Sequence, residues 1–370
     1  MLDSEIYELS ADILSGITGD LNDVRYSELG GSLSLQWDSR KAFSAYALSR
    51  GSIDDPPNHC IVFHYEFVRQ LWRDAENFCA FIKSIPSGSD VDLIYSSFND
   101  KEKLPSCFSD EEHVRNLFVG ALTWVYFHEL GHLNQEHGYI RQANGGASYQ
   151  GYSEVHELNA AGRRSLTERE IIVSHVTELA ADYEATNLYC YELVRHIKAI
   201  AGEHEVDEVF RGLLYLMICG LSIVFYRFNG SAPPVLSPIP KDSHPDPLTR
   251  LELNIPHLFE MLDIPVFRQL GGYQLDRREL VSIASKATLS VSLFWSGTEG
   301  SGQAFDSDFL IKGVFSRIEI IKYLQPIIAC WEELLPSIKK IRRHDIPLGL
   351  MTFTPDAKER ISKEIVWGKG

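Results

Sequence analysis

The sequence predicts an α+β fold that is predominantly helical, with a small N-terminal sheet and a helical C-terminal region. Strand-like segments occur in the first part of the chain, and two capping boxes then open long stretches of helical periodicity. The remainder alternates apolar helical patterns with turns. With 370 residues, of which 44% are hydrophobic and 23% charged, the chain is long and apolar enough to bury a large core.

Residues 1–108 are expected to form an α/β region. The stretch GSLSLQW at 31–37 predicts a strand, and the stretch HCIVFHYEFVRQLWRDAENFCAFI at 59–82 predicts a strand that runs into a helix. A further strand is predicted over VDLIYSSF at 91–98. Its edge is a place where a peptide substrate can add as another strand.

Two helices are predicted from their N-terminal signals. Ser109 and Glu112 form a capping-box pattern, after which apolar residues recur at helical spacing. Thr167 and Glu170 form a second one, and the helix that it opens is expected to run to about residue 200. The polar, glycine-containing segment 139–165 between them is expected to be a mobile loop, and together with the N-terminal hundred residues it is expected to govern access of substrate.

Composition and charge exclude several classes of protein. The net charge of −16 and the absence of a long basic run argue against a nucleic-acid partner. The six cysteines show no C-x-x-C spacing, which predicts free thiols in a reducing compartment. The same pattern argues against a disulfide framework and against a zinc site made of cysteines. The N-terminal stretch MLDSEIYELSADIL is acidic where a secretory signal is basic, so the expected location is cytoplasmic.

One apolar stretch bears on membrane association. GLLYLMICGLSIVFY at 212–226 has no charged residue, but it is shorter than the roughly 20 residues that a membrane-spanning helix needs. A buried core helix is therefore favoured. A short or peripheral membrane element is the alternative.

The stretch YFHELGHLNQEH at 126–137 predicts a metal site. On a helix, His128 and His132 lie one turn apart, so two imidazoles can converge on one ion at the roughly 2.0–2.1 Å that zinc requires. Glu129 would lie beside the open coordination position, where it can take a proton from zinc-bound water. The alternative is two hydrogen-bonded helix histidines beside a surface glutamate.

A zinc site of this kind needs a third ligand. The metzincin spacing would place glycine at 135 and histidine at 138, where the chain has Gln135 and Gly138, so that class is excluded. The later stretch SHVTELAADYEA offers Glu178 as a ligand, with Asp182 one turn on and able to accept the second N–H of a ligand histidine. The alternative is a pair of solvated carboxylates that repel each other modestly.

Other histidines receive different expectations. His137 and His156 lie near the motif, but their spacing fits no ligand set, so we expect them at the surface or in a loop. His175 precedes Glu178 by three residues and is an alternative ligand or a partner of one.

A third motif contains His244, which is followed by Pro245. The proline disfavours helix at His244 and would stiffen a loop that holds the imidazole over the metal. A positioned donor there would stabilise the negative charge that develops on the carbonyl oxygen during amide hydrolysis. The alternative is a surface histidine in a proline-rich loop.

Together HELGH, ELAAD and SHPDPLTRL, in this order, resemble the gluzincin metallopeptidases, especially the family of the CAAX prenyl endopeptidase and the bacterial membrane heat-shock protease. The resemblance implies a zincin-like catalytic core over residues 109–255. It implies one zinc per chain and assigns the site residues: ligands His128, His132 and Glu178, base Glu129, partner Asp182, oxyanion donor His244 and site-ordering Arg250.

The chain departs from that family because it lacks clear flanking transmembrane helices. In this respect it is more similar to the Lit-type phage-exclusion peptidases. Residues 256–370 carry no motif and are expected to form a helical C-terminal region.

The sequence therefore predicts a cytoplasmic zinc-dependent endopeptidase that hydrolyses a protein or peptide substrate by metal-activated water. It is expected to be latent until an activating protein partner arrives. A non-catalytic, zinc-stabilised sensor or interaction protein is one alternative, and a membrane-associated protease is another. Purely structural zinc sites need no base and close the fourth coordination position, so Glu129 favours the enzyme.

Overall fold

The computed structural model describes residues 1–89, 92–93, 95, 98, 102–145, 166–202, 206–230, 238–298, 317–345 and 349–367. Within these ranges the protein is mostly helical with a small three-stranded sheet, which confirms the predicted class. The helices and strands in chain order are α1 (Asp3–Leu21), a π-helical turn (Asn22–Tyr26), β1 (Ser32–Asp38), β2 (Ala45–Arg50), β3 (Asn58–His64), α2 (Tyr65–Ser84), α3 (Asp110–Asn134), α4 (His137–Ala143), α5 (Glu168–Ile200), α6 (Val206–Asn229), α7 (Pro247–Asp263), α8 (Pro265–Gly271), α9 (Arg277–Thr298), α10 (Ile318–Ile341) and α11 (Pro355–Trp367).

The sheet has the strand order β1-β3-β2. The central strand β3 pairs in parallel with β1 and antiparallel with β2, with Ile61 opposite both Leu35 and Ala47. The predicted strand at 31–37 corresponds to β1, and the predicted strand that runs into a helix corresponds to β3 and α2. The sequence did not predict β2, because AYALSR is short and alternates weakly.

The strand predicted at 91–98 is wrong for the residues that the structure describes, because Asp92, Leu93 and Tyr95 are helical. Ser89 Oγ accepts the backbone N–H of Asp92 at 3.2 Å, and Leu93 N–H donates to the Ser89 carbonyl at 2.9 Å. A Ser-x-x-Asp capping signal thus competes with the strand pattern at this position. Tyr95 is buried, and its hydroxyl donates to Ser290 Oγ on α9 at 2.6 Å.

Helix α3 lies at the centre of the fold and packs against α2, α5, α6 and strand β2. Both capping boxes form, since Ser109 Oγ accepts from Glu112 N–H and Thr167 Oγ1 accepts from Glu170 N–H. The two long predicted helices therefore begin where the sequence indicates. They are the elements that carry the motif residues.

Helix α6 contains the apolar stretch at 212–226. Its length and composition would allow it to span a membrane, but 94% of its most apolar 18-residue window is buried inside the protein. Leu117 O of α3 lies 2.3 Å from where a Cβ would stand on Gly220, so α6 approaches α3 as closely as a glycine permits. The stretch 212–226 is therefore a buried core helix of the described structure, as the sequence favoured.

The segment expected to be a loop at 139–165 begins as helix, because α4 extends to Ala143. Residues 146–165, which include His156, lie outside the described residues. In the C-terminal region, α10 packs against α5. The chain beyond α10 contacts the end of α3, since Arg343 N–H donates to the Asn134 carbonyl at 2.8 Å.

Candidate metal centre

Helix α3 places two histidines side by side in the interior. The side chain of His128 is 9% exposed and that of His132 is 11% exposed. Their Nε2 atoms lie 3.1 Å apart because the two residues occupy successive turns of one helix face. Trp124, one turn earlier, stacks on the His128 ring at a centroid distance of 5.6 Å and restricts its orientation.

A close contact between α3 and α5 brings a carboxylate to the two imidazoles. A Cβ on Gly131 would stand 3.1 Å from both Cα and O of Ala181, so the glycine of HELGH permits the helices to approach. Glu178 then lies with Oε1 at 3.2 Å from His132 Nε2 and Oε2 at 3.5 Å from His128 Nε2. The structure therefore brings together the three residues that the sequence predicts as ligands.

The spacing of these atoms fits a tetrahedral metal site. One ligand atom from each of His128, His132 and Glu178 lies within 4.8 Å of the others. Ligands at the zinc distance of about 2.1 Å, arranged as a tetrahedron, stand roughly 3.4 Å from one another, and the three observed separations bracket that value. Two imidazoles and a carboxylate are also the ligand types that zinc accepts. A divalent metal ion can therefore bind here.

Asp182 contacts the imidazole nitrogen of His128 that faces away from the other two proposed ligands. The Nδ1 of His128 lies 2.8 Å from Asp182 Oδ1, so Nδ1–H donates to the carboxylate and Nε2 faces the other ligands. Arg250 donates through Nη2 to Asp182 at 2.6 Å, and its Nη1 lies 3.1 Å from Glu178 Oε2. Asp182 and Glu178 are both nearly inaccessible to solvent, so neither is a solvated helix carboxylate.

The charges of the cluster are set by burial and by these partners. Burial and Arg250 lower the pKa of His128, but hydrogen bonds to Asp182 and Glu178 outweigh them and raise it to about 9. Burial lowers the pKa of His132 to about 3. Burial acts to raise the pKa of Glu178, but Arg250 and the two histidines lower it well below its ordinary value. Glu178 is therefore a carboxylate at neutral pH.

Glu129 lies within the same cluster but has a different environment. It is only 7% exposed, and it lies within electrostatic range of His128, Glu178 and Arg250. Burial raises its pKa to about 7, against the opposing effect of His128. A carboxyl group whose pKa is near neutrality can both accept and release a proton at neutral pH.

His244 lies in the loop before α7. Ser174 Oγ donates to the Ser243 carbonyl at 2.5 Å, and Ser174 precedes Glu178 by one helical turn. Burial lowers the pKa of the His244 imidazole to about 4, with Glu178 acting in the opposite direction, so the ring is neutral and lies within electrostatic range of the cluster. Ser243 Oγ and His244 Nδ1 are 2.9 Å apart.

The sequence missed two residues of the site, His137 and Arg141. His137 is 1% exposed, and its Nδ1 lies 2.9 Å from Nδ1 of His132, so the expectation of a surface or loop histidine is wrong. Arg141 donates to Thr177 Oγ1 at 2.7 Å and lies 3.3 Å from Glu178 Oε1. Both residues reach the site because the helix breaks at Glu136, which adopts a left-handed conformation with φ of 51°.

His175 does not join the ligand group. It contacts the Tyr323 hydroxyl at 3.0 Å and the Lys241 carbonyl at 2.9 Å, so it ties α5 to α10 and to the loop before α7.

No protein-family model, curated protein or solved structure matches the chain.

Proposed function

We propose that the protein is a single-zinc endopeptidase of the gluzincin type that hydrolyses peptide bonds of a protein substrate in the cytoplasm. The observation that carries the proposal is the convergence of His128, His132 and Glu178 on one point, with the carboxyl group of Glu129 buried beside them. The order of the HELGH, ELAAD and SHPDPLTRL motifs, which resembles that of the gluzincins, supports it.

His128, His132 and Glu178 would hold the zinc ion. When bound, zinc would supply Lewis acidity, lowering the pKa of water and polarising a substrate carbonyl group. By accepting the Nδ1 proton of His128, Asp182 would leave Nε2 as the ring atom available to hold the ion. Arg250 compensates the buried charges of Glu178 and Asp182, which would otherwise be costly to desolvate.

Glu129 is the proposed general base. Burial raises its pKa to about 7 in the metal-free protein, and a carboxyl group beside the ligand histidines can take and return a proton. In the proposed reaction Glu129 takes a proton from the attacking water and passes it to the leaving amine. His244, held neutral by burial, is the proposed donor to the oxygen of the tetrahedral intermediate.

The sheet offers a place for a peptide to bind. Strand β2 is an edge strand that packs against α3, the helix that carries the motif histidines. A substrate segment that adds beside β2 would form main-chain hydrogen bonds along the side of β2 that pairs with no described strand. This replaces the segment at 91–98, which the sequence favoured as the substrate-binding edge.

We further propose that the enzyme is latent. Glu178 is 1% exposed and Glu129 is 7% exposed, so a peptide carbonyl reaches these side chains only after the surrounding chain moves. An activating protein partner would supply that movement. If the isolated enzyme cleaves denatured casein rapidly, latency is wrong.

Substitution of Glu129 by glutamine tests the catalytic proposal. Glu129→Gln keeps the volume of the side chain but cannot accept a proton, so we expect unchanged zinc content and folding and loss of cleavage of a validated substrate. An unchanged rate would overturn the peptidase mechanism. A variant that keeps all biological function would instead favour a non-catalytic zinc-stabilised sensor.

A further inference from the structure

We propose that His137 and Gln135 are positioning residues of the metal centre. They form a hydrogen-bonded relay that holds His132 in the tautomer whose Nε2 lone pair faces the metal position, an inference that rests on the proposed zinc site. Neither residue belongs to the three sequence motifs. The relay follows from the hydrogen-bond donors and acceptors that lead from Gln135 through His137 to His132.

The relay begins at the amide of Gln135, which is completely buried. One end of this amide lies 3.2 Å from the carbonyl oxygen of Ala180 and 2.7 Å from Oε2 of Glu184. A main-chain carbonyl can only accept a hydrogen bond, so this end must be the Nε2 amino group. The Oε1 of Gln135 therefore points the other way, towards His137, and can only accept.

The orientation of Gln135 determines the tautomer of His137. The Nε2 of His137 lies 3.3 Å from Gln135 Oε1 and must donate its proton to it. In a neutral imidazole with a proton on Nε2, the Nδ1 atom is an acceptor. That Nδ1 atom lies 2.9 Å from Nδ1 of His132, which therefore carries a proton and donates it. The lone pair of neutral His132 is then on Nε2.

Nε2 of His132 is the atom that faces the rest of the cluster. It lies 3.1 Å from Nε2 of His128 and 3.2 Å from Oε1 of Glu178. Without an acceptor at Nδ1, the proton of His132 could move to Nε2 and block the ligand position. His137 prevents this because its Nδ1 accepts a hydrogen bond from Nδ1–H of His132, which stabilises the tautomer with the proton on Nδ1.

The backbone at Glu136 places the ring of His137 over that of His132. His137 is five positions after His132, and on a continuous helix side chains at this spacing would diverge. Glu136, with φ of 51°, ends α3 and starts α4, so the rings meet edge to face with centroids 5.0 Å apart. The carboxylate of Glu136 is itself held by Arg343, 2.5 Å from its Nε.

The two proposed histidine ligands therefore have different partners. Nδ1 of His128 donates to the carboxylate of Asp182, whereas Nδ1 of His132 donates to a neutral imidazole. A carboxylate partner raises the basicity of a ligand histidine more than a neutral partner does. His137 thus orients His132 without adding negative charge next to the metal.

Zinc affinity, measured by competition with a chelator on the full chain, tests the role of His137. We expect His137→Leu to weaken zinc binding by about 10- to 100-fold, the usual effect of losing such a partner. In His137→Asn the Oδ1 atom stands where Nδ1 was and can accept from His132, so most of the affinity should return. Unchanged affinity in His137→Leu would overturn the proposal.

A control is available at His257, a partly buried histidine of α7 that stacks on Tyr183 and hydrogen bonds to Asn187. His257→Leu removes a partly buried, hydrogen-bonded imidazole outside the metal cluster. We expect it to leave zinc affinity unchanged. If His257→Leu weakens zinc binding as much as His137→Leu does, the effect is general loss of packing and the relay is overturned.

A second measurement does not depend on metal. Selective ¹⁵N-histidine labelling of the metal-free protein reports which ring nitrogen carries the proton, with signals assigned from the single-histidine variants. We expect the proton on Nδ1 of His132 and on Nε2 of His137, and a proton on Nε2 of neutral His132 would overturn the relay. These tautomers in a protein that binds no zinc would support the relay and reject the proposed function.

Discussion

The Nδ1 atom of His128 lies 2.8 Å from Oδ1 of Asp182, and this hydrogen bond joins helix α3 to helix α5 inside the protein. The same carboxylate accepts from Arg250 and from Nδ2 of Asn254, both on α7. One side chain thus connects three helices at the metal cluster. Its loss should affect both metal affinity and stability.

Asp182→Ala is expected to weaken zinc binding by about 10- to 100-fold, because His128 loses the acceptor that fixes its tautomer. It should also destabilise the fold by about 3–5 kcal/mol, since Arg250 loses a partner within a buried ion cluster. Asp182→Asn keeps an acceptor oxygen and should lose less of both. Chelator competition and denaturant unfolding measure the two effects, and full zinc affinity in Asp182→Ala would contradict this role.

Zinc content should depend on all three ligands. Mass spectrometry of purified protein should find about one zinc per chain in the wild type, and Glu178→Ala and His128→Ala should both lose it, since two remaining ligands bind zinc weakly. His175→Ala, a buried histidine of the same helix α5 outside the ligand group, should retain it. Zinc that is indifferent to Glu178 would show that the metal binds elsewhere.

Gly131→Ala should separate α3 from α5. The new Cβ would stand 3.1 Å from Cα and O of Ala181, and main-chain atoms cannot move aside cheaply. Overpacking of this kind costs about 1–3 kcal/mol, more than the gain of up to about 1 kcal/mol from replacing glycine in a helix. Thermal unfolding should therefore show net destabilisation.

The matched control is Gly16→Ala. Gly16 lies on the exposed side of α1, and nothing stands within 4 Å of its added Cβ. Because no contact opposes the gain in helix propensity, this variant should be stabilised by about 0.5–1 kcal/mol. If both variants change stability in the same direction, the close contact at Gly131 is not what limits the approach of the helices.

Glu184 should make stability depend on pH. Burial raises its pKa from 4.5 to about 7, although Asn134 and Gln135 donate hydrogen bonds to it. The folded state therefore binds the proton more tightly than the unfolded state does. Stability should fall as pH rises from about 4.5 to about 7, and the whole loss, on the order of a few kcal/mol, is present above that range.

Glu184→Gln should flatten this dependence. The glutamine amide carries no charge at any of these pH values. Oδ1 of Asn134 has no hydrogen-bond partner within the described residues, and a 180° rotation of the Asn134 amide would turn it towards the amino group of the new glutamine side chain, from which it could accept a hydrogen bond. Urea unfolding at pH 5 and pH 8 compares the two proteins. Parallel loss of stability in wild type and variant between these pH values would exclude Glu184 as the cause.

Much of the fold could be predicted because its signals are local. The capping boxes at Ser109 and Thr167 mark the starts of α3 and α5, and the apolar stretches predict β3 and the buried helix α6. The error at 91–98 arose because a Ser-x-x-Asp cap at Ser89 competed with an apolar strand-like pattern. Strand β2 was missed because pairing with β3, and not its own pattern, makes it a strand.

For the candidate site, the sequence by itself determined which residues lie together on one face of the same helix. His128 and His132 share a face because they are four residues apart, and the same spacing puts Glu178 and Asp182 together on the other helix. Only the tertiary structure decided which distant groups meet them. His137 reaches His132 because Glu136 adopts a left-handed backbone conformation. Gln135, at the end of α3, reaches the carbonyl of Ala180 because α3 packs against α5. Neither a left-handed residue nor a contact between helices produces a periodic pattern in the sequence.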